Sequence, residues 1–161
     1  MFKSVSPFSR KIYVFSTLAL IAAFIMPTQA LAREYLKTEF AQKRGYTPTI
    51  VTQGGKTVWI SGQIGVRDEQ GNSLAGDLNG QARAAFKAVE NEVKKAGGKM
   101  SDVVSVTVYL TDPRQLEALQ PIREEFWADG NFPTSTTITV SNLPLPEMML
   151  EISAIAVIGD K

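Results

Sequence analysis

The sequence predicts an α+β fold: one sheet in the order β-β-α-β-α-β-β, with both helices on a single face. Three patterns carry that prediction. Val103 to Thr111 alternates, with Val104, Val106, Val108 and Leu110 on one face and Val103, Ser105, Thr107, Tyr109 and Thr111 on the other, the period-two pattern of a strand with one apolar face. From Leu78 to Ala96 apolar residues recur at Leu78, Ala82, Ala85, Phe86, Val89, Val93 and Ala96, spacings of three and four that mark an amphipathic helix. Two β-rich runs, Pro133 to Ser141 and Met148 to Ile158, close the chain around a loop holding Pro144 and Pro146.

The remaining elements are taken in order. Thr49 to Gln53 and Lys56 to Gly62 are β-rich and separated by Gly54-Gly55, which reads as a hairpin. Asp68 to Asn72 is a polar turn. Asp77 is placed to cap the first helix and Gly97-Gly98 to stop it. Asp112 and Pro113 open a second helix running to about Trp127, with Leu116, Leu119, Ile122 and Phe126 inward and a break expected near Pro121. The helix-free face of the sheet reads as half polar, from Ser105, Thr107 and Tyr109 and from Ser135, Thr137 and Thr139. Trp59, Phe86, Tyr109 and Phe126 stand at core spacing and are read as packing residues.

Composition removes more functions than it suggests. Residues 1–32 read as an export signal: Lys3, Arg10 and Lys11 precede the apolar run Ile12 to Met26, and Ala30-Leu31-Ala32 is a small-x-small cleavage site. The run is shorter than the ~20 apolar residues that span a bilayer, so residues 33–161 are expected as one secreted or periplasmic domain without stable membrane association. Residues 1–32 hold three of the 17 basic residues and none of the 16 acidic ones, so their removal takes the formal charge from +1 to −2. That charge argues against nucleic acid as a partner. The 161 residues include no His and no Cys, which excludes Ser-His-Asp and Cys-His pairs, disulfides and the usual zinc sites. No metal and no cofactor is expected. Chemistry is left to carboxylates, lysines, tyrosines, hydroxyls, backbone groups and water.

The segments Trp59 to Ile64, Val103 to Asp112, Phe132 to Val140 and Met149 to Val157 together resemble the Rid family (YjgF/YER057c/UK114), over about Tyr46 to Val157. The resemblance implies a chorismate-mutase-like sheet, a homotrimer and small-molecule clefts at the subunit interfaces; the best-known members are enamine/imine deaminases. Matched to the family pattern, Glu151 takes the place of a glutamate that positions water near the imine carbon. Ser61-Gly62-Gln63 brings the Gly62 backbone to the cleft, and Tyr46, Gln120 and Thr137 fall at ligand-lining positions. Ser135 stands where deaminating members carry, in a Pro-x-Arg-Ser turn, the arginine that holds the substrate carboxylate.

That departure bears on substrate. A neutral hydroxyl gives one hydrogen bond, where a guanidinium gives a paired, charge-assisted contact. The loss is worth ~2–4 kcal/mol, judged from ~1.5–3 for one hydrogen bond to a charged group. Carboxylate-bearing 2-iminoacids are therefore expected to be handled poorly or held by another group. Arg123 is the nearest candidate in the pattern, its side chain as free to face solvent as the cleft. Glu151 reads equally as a paired structural charge, Gly62 as a β-bulge and Gln120 as a surface residue.

Three functions stay open: a deaminase-like hydrolase of atypical substrate range, a non-catalytic binder of a small metabolite, and a protein-interaction trimer. Nuclease activity fits an acidic, histidine-free domain poorly. One expectation is checked directly: N-terminal sequencing of the exported protein should begin at Arg33, and an intact Met1 on a membrane-bound product overturns the cleavage.

Overall fold

The computed structural model describes residues 33–160; the expected export segment, 1–32, lies outside them. A short strand β1 (Glu34–Leu36) and the single turn α1 (Glu39–Gln42) precede the seven expected elements: β2 (Thr49–Val51), β3 (Lys56–Gln63), α2 (Leu78–Lys95), β4 (Val103–Leu110), α3 (Leu119–Phe126), β5 (Thr134–Thr139) and β6 (Leu150–Ile158). The main sheet has the order β3-β6-β4-β5, and β1 and β2 form a separate two-stranded sheet. β5 runs parallel to β4, whereas β6 is antiparallel to both β3 and β4.

Both helices cover one face. Phe86, Val89 and Val93 of α2 and Leu119 and Ile122 of α3 join Val106, Val108, Leu110, Leu150, Ile152, Ala154 and Ala156 in one buried core. Phe86 stands at its centre, its ring 5.3 Å from Phe126 and edge-on to Trp127 at 5.6 Å, contacts that add ~0.5–1.5 kcal/mol each to the area they bury. Asp77 caps α2 by accepting from the Gly80 amide at 2.9 Å, and Gly97 turns the chain out of the helix at φ +87°.

Four local expectations are corrected. β2 pairs with β1, Tyr35 opposite Ile50, and not with β3 across Gly54-Gly55; both glycines have positive φ, but the chain turns there without closing a hairpin ladder. The second helix divides: Pro113–Ala118 is 3-10 and the α-helix starts at Leu119. Pro121 thus falls in the first turn of α3, where its missing N–H costs no intrahelical bond, and the break precedes it. Trp59 is 76 % exposed on the helix-free face, because it pairs with Ile155 and alternates with the inward Val58 and Ile60. Ser135, Thr137 and Thr139 oppose Val106, Val108 and Leu110. Opposed residues share a face, so these three lie on the helix side, and Thr134, Thr136 and Ile138 face outward.

Arg33 closes the fold at the other end. Its guanidinium pairs with the buried Asp160 at 2.6 Å and donates to the carbonyls of Ser101 and Val157, tying β1 to the end of β6.

The tightest approach between sheet and helix is at Gly65, just past β3. A Cβ there would lie 2.3 Å from the Gln81 carbonyl and 2.6 Å from the Ala84 Cβ. Gly65→Ala should therefore destabilise the domain by ~1–3 kcal/mol, as overpacking against rigid backbone does; a urea melt within ~0.5 kcal/mol of wild type would contradict this packing.

Candidate functional site

The expected site residues fall into two groups, one on each face of the sheet. Tyr46, Gln120, Ser135 and Thr137 line a cavity of about 560 Å3 between α3, β5 and the turn after α1, together with Lys43, Arg44, Leu116, Glu117 and Arg123. Glu151 and Gly62 meet on the opposite, helix-free face.

The cavity is built from the α1 turn upward. Thr38 caps α1 by accepting from the Ala41 amide. Gly45 then leaves the turn at φ +69°, and a Cβ there would lie 3.3 Å from the Arg123 Cδ, so glycine serves both the left-handed conformation and the close packing on that side chain. Thr47 anchors the next stretch of chain: its amide donates to the Pro133 carbonyl at 3.0 Å and its buried hydroxyl to the Phe132 carbonyl at 2.6 Å. Tyr46 is thereby tethered beside the start of β5, where Ser135 stands. Gln120 is half-buried at the wall, its Nε2 donating to Glu124 at 3.2 Å.

Arg123, whose orientation the sequence left open, is 6 % exposed. Among the described residues its guanidinium makes no ion pair and a single hydrogen bond, from Nη1 to the Arg44 carbonyl at 3.4 Å. Burial pushes its pKa down to about 10, so it stays charged at neutral pH. Its Nε and Nη2 have no partner, nor has the buried Ser135 Oγ.

On the other face Gly62 lies within a β-bulge, the register shifting between Ile60 and Gln63. A Cβ on Gly62 would sit 1.6 Å from the Glu151 Oε1. The missing side chain is thus the space the carboxylate occupies, so the bulge and the close approach expected at Gly62 are the same feature. Glu151 opposes Tyr109 on β4. Its position along the sheet is set by a residue that belongs to no motif, the fully buried Gln81. The Gln81 amide donates to the Leu74 and Glu147 carbonyls at 3.0 and 2.8 Å and accepts from the Met149 amide at 2.9 Å, clamping the start of β6 onto α2. The signal for it in the sequence is a polar residue three positions after Leu78, on the apolar stripe of the helix.

A larger groove of about 710 Å3 along α2 holds none of these residues. Two of its cations are matched, Arg83 with Glu125 and Lys87 with Glu90, each at 2.8 Å. Among the described residues no group of three or more His, Cys, Asp or Glu is placed to hold a metal ion, and no helix is long and apolar enough to cross a membrane.

Gly62→Ala provides a test of the glutamate pocket. The atoms in the way, Oε1, Cδ and Cγ, all belong to the one flexible Glu151 side chain, so stability should fall by less than ~1 kcal/mol, while the carboxylate is forced from its place. Thermal melting within a few degrees of wild type, with any Glu151-dependent turnover reduced at least tenfold, is the expected pair of results. Unchanged turnover would show that the carboxylate position is not needed.

The family profile described as "Endoribonuclease L-PSP" matches residues 37–158. The chain is 34% identical over 106 residues to a 2-iminobutanoate/2-iminopropanoate deaminase of Dermatophagoides farinae, covering 66% of this chain and 81% of that protein. It is 35% identical over 105 residues to the protein of the same name from Salmonella typhimurium, covering 64% and 80%. Among solved structures, the conserved Rid family protein YyfB from Yersinia pestis superposes with a TM-score of 0.70 at 24% identity, over 80% of this chain and 100% of that one, a likeness of fold alone. The E. coli YjgF product superposes with a TM-score of 0.57 at 29% identity, over 77% and 98%. With its matched profile, its relatives and its four-stranded sheet under two helices, the chain belongs to the Rid (YjgF/YER057c/UK114) family.

Proposed function

We propose that the protein is an exported, homotrimeric imine/enamine deaminase-like hydrolase whose site is completed between subunits. The observation that carries this reading is the Glu151 carboxylate seated in the space left by Gly62, a held acid-base group where the family resemblance puts water activation. In the reaction water adds to the imine carbon as Glu151 accepts its proton. Returned to the nitrogen, that proton completes a carbinolamine; the hydroxyl proton of this intermediate then passes through Glu151 to the nitrogen as the carbon–nitrogen bond breaks, so that one imine and one water give one carbonyl compound and one ammonia. Export is supported by the pattern of residues 1–32, and the deaminase chemistry by the relatives' names.

The division of the site supports the trimer. Ser135 opposes Val106 on the helix side, while Glu151 opposes Tyr109 on the open face, so the sheet separates the two groups within one protomer. A second copy whose open face meets the rim of the cavity brings them together. The open face suits such a contact: Trp59 is 76 % and Ile138 42 % exposed among Ser105, Thr107 and Ser153. An exposed indole beside Ile155 is the kind of large apolar group found at interface centres.

The test forms 2-iminobutanoate in place with an amino-acid oxidase and traps it with semicarbazide. Wild type should lower semicarbazone formation, and Glu151→Gln should reduce that effect by ~100-fold or more, the usual share of a general base. Light scattering on the same sample should give three times the chain mass. An inert wild type removes the enzyme reading and leaves a binder, while a stable monomer at micromolar concentration removes the shared site.

A further inference from the structure

Three of the five buried side-chain polar atoms left without a partner among the described residues are carried by two residues that line the 560 Å3 cavity: Nε and Nη2 of Arg123 and Oγ of Ser135. A buried charge without a counter-charge is expensive to hold. A guanidinium that had only a structural task would be expected to carry a carboxylate, as Arg33 does with Asp160. The two free nitrogens are also particular ones: Nε–H and one Nη2–H point the same way from the planar guanidinium and form the side-on fork that fits both oxygens of a carboxylate. Nη1, on the other edge, is the nitrogen held by the Arg44 carbonyl.

The neighbouring charges do not fill that role. Lys43 pairs with Glu39 at 2.6 Å, the Arg44 guanidinium lies over the Phe40 ring at 4.4 Å, and Glu117 is exposed. Gly45 packs on the Arg123 stem, holding the side chain in the cavity wall. We propose that Arg123, with Ser135 Oγ as a neutral donor, is the anchor for a small monocarboxylate in this cavity, so that α3 supplies the guanidinium that β5 lacks. This rests on the deaminase-like reading for its substrate class, which becomes carboxylate-bearing imines, and of the two expectations for such substrates it takes the one in which another group holds them.

Titration calorimetry tests it with 2-oxobutanoate, the stable carbonyl counterpart of the imine, against the methyl ester of the same acid and inorganic phosphate. The wild-type protein should bind 2-oxobutanoate at least tenfold more tightly than either. Arg123→Met, which removes an uncompensated buried charge, should raise the thermal midpoint and weaken 2-oxobutanoate at least thirtyfold while leaving the ester unchanged. Arg123→Lys keeps the charge but not the fork and should fall between. A structural guanidinium predicts the opposite sign: Arg123→Met melting below wild type, or failing to fold, overturns the proposal. So do undiminished 2-oxobutanoate binding by Arg123→Met, no binding by wild type, and a preference for phosphate. Binding lost in Arg123→Met by a protein that never turns over imine would retain the anchor and discard the deaminase.

Discussion

The constraint on which the rest of the structure depends is the placement of β6 between β3 and β4. A strand hydrogen-bonded on both sides cannot slip by one residue without exchanging its faces. Here the exchange would put Glu151, Ser153 and Ile155 under the helices and expose Leu150, Ile152 and Ala154. The four buried apolar residues Leu150, Ile152, Ala154 and Ala156 therefore specify the outward direction of Glu151. Gln81 adds a polar lock at the strand's start, since three hydrogen bonds inside a buried setting are lost together if β6 shifts. The direction of the candidate base is in this sense a by-product of core packing.

The cavity on the other face is organised by a different balance. Its floor holds a charge that burial disfavours, shown by the lowered Arg123 pKa, and the surroundings must over-determine that arrangement for it to persist. Gly45 against the Arg123 stem, the Thr47 bonds to the Phe132 and Pro133 carbonyls, and the α1 cap at Thr38 do so from one side. Leu119 and Ile122, fully packed on α3, do so from the other. The apolar part of α3 offsets the energetic cost of its one buried cation, which places local instability where a ligand can relieve it.

Much of this was legible in the sequence because it depends on local period. The alternation of Val103 to Thr111 and the three-four spacing from Leu78 to Val93 yielded β4 and α2 with their buried faces, except that Val103, read on the polar face, is buried and Val104 only half-buried, since the register shifts between Val103 and Ser105. Pairing partners were less legible. Gly54-Gly55 is a strong local turn signal, yet β2 finds Tyr35 and Leu36 earlier in the chain, outside any window that a hairpin rule inspects. The same limit misplaced Ser135 and Thr137: a run of Thr and Ser has no apolar alternation to declare its faces, and only the parallel register with Val106 and Val108 settles them. Trp59 misled through its size, since an aromatic in a strand is read as core unless the neighbouring strand is known. Motif matching brought Tyr46, Gln120, Ser135 and Thr137 to one cavity and Glu151 to Gly62. It could not show that the two sets lie on opposite faces.

A guanidinium that enters the cavity from α3 is positioned differently from a side chain on β5. A side chain on β5 is held by the register of a strand paired to β4, so its place in the cavity is set by sheet geometry. Arg123 instead enters from the helix layer, and the cavity between it and β5 is bounded by Ser135, Thr137 and Tyr46, side chains of small or planar shape. A carboxylate held as proposed, by Arg123 and the Ser135 hydroxyl, would lie between the helix layer and β5, with a single neutral hydrogen bond to the strand. On that proposal the charged part of the recognition comes from the helix layer and the neutral part from the sheet.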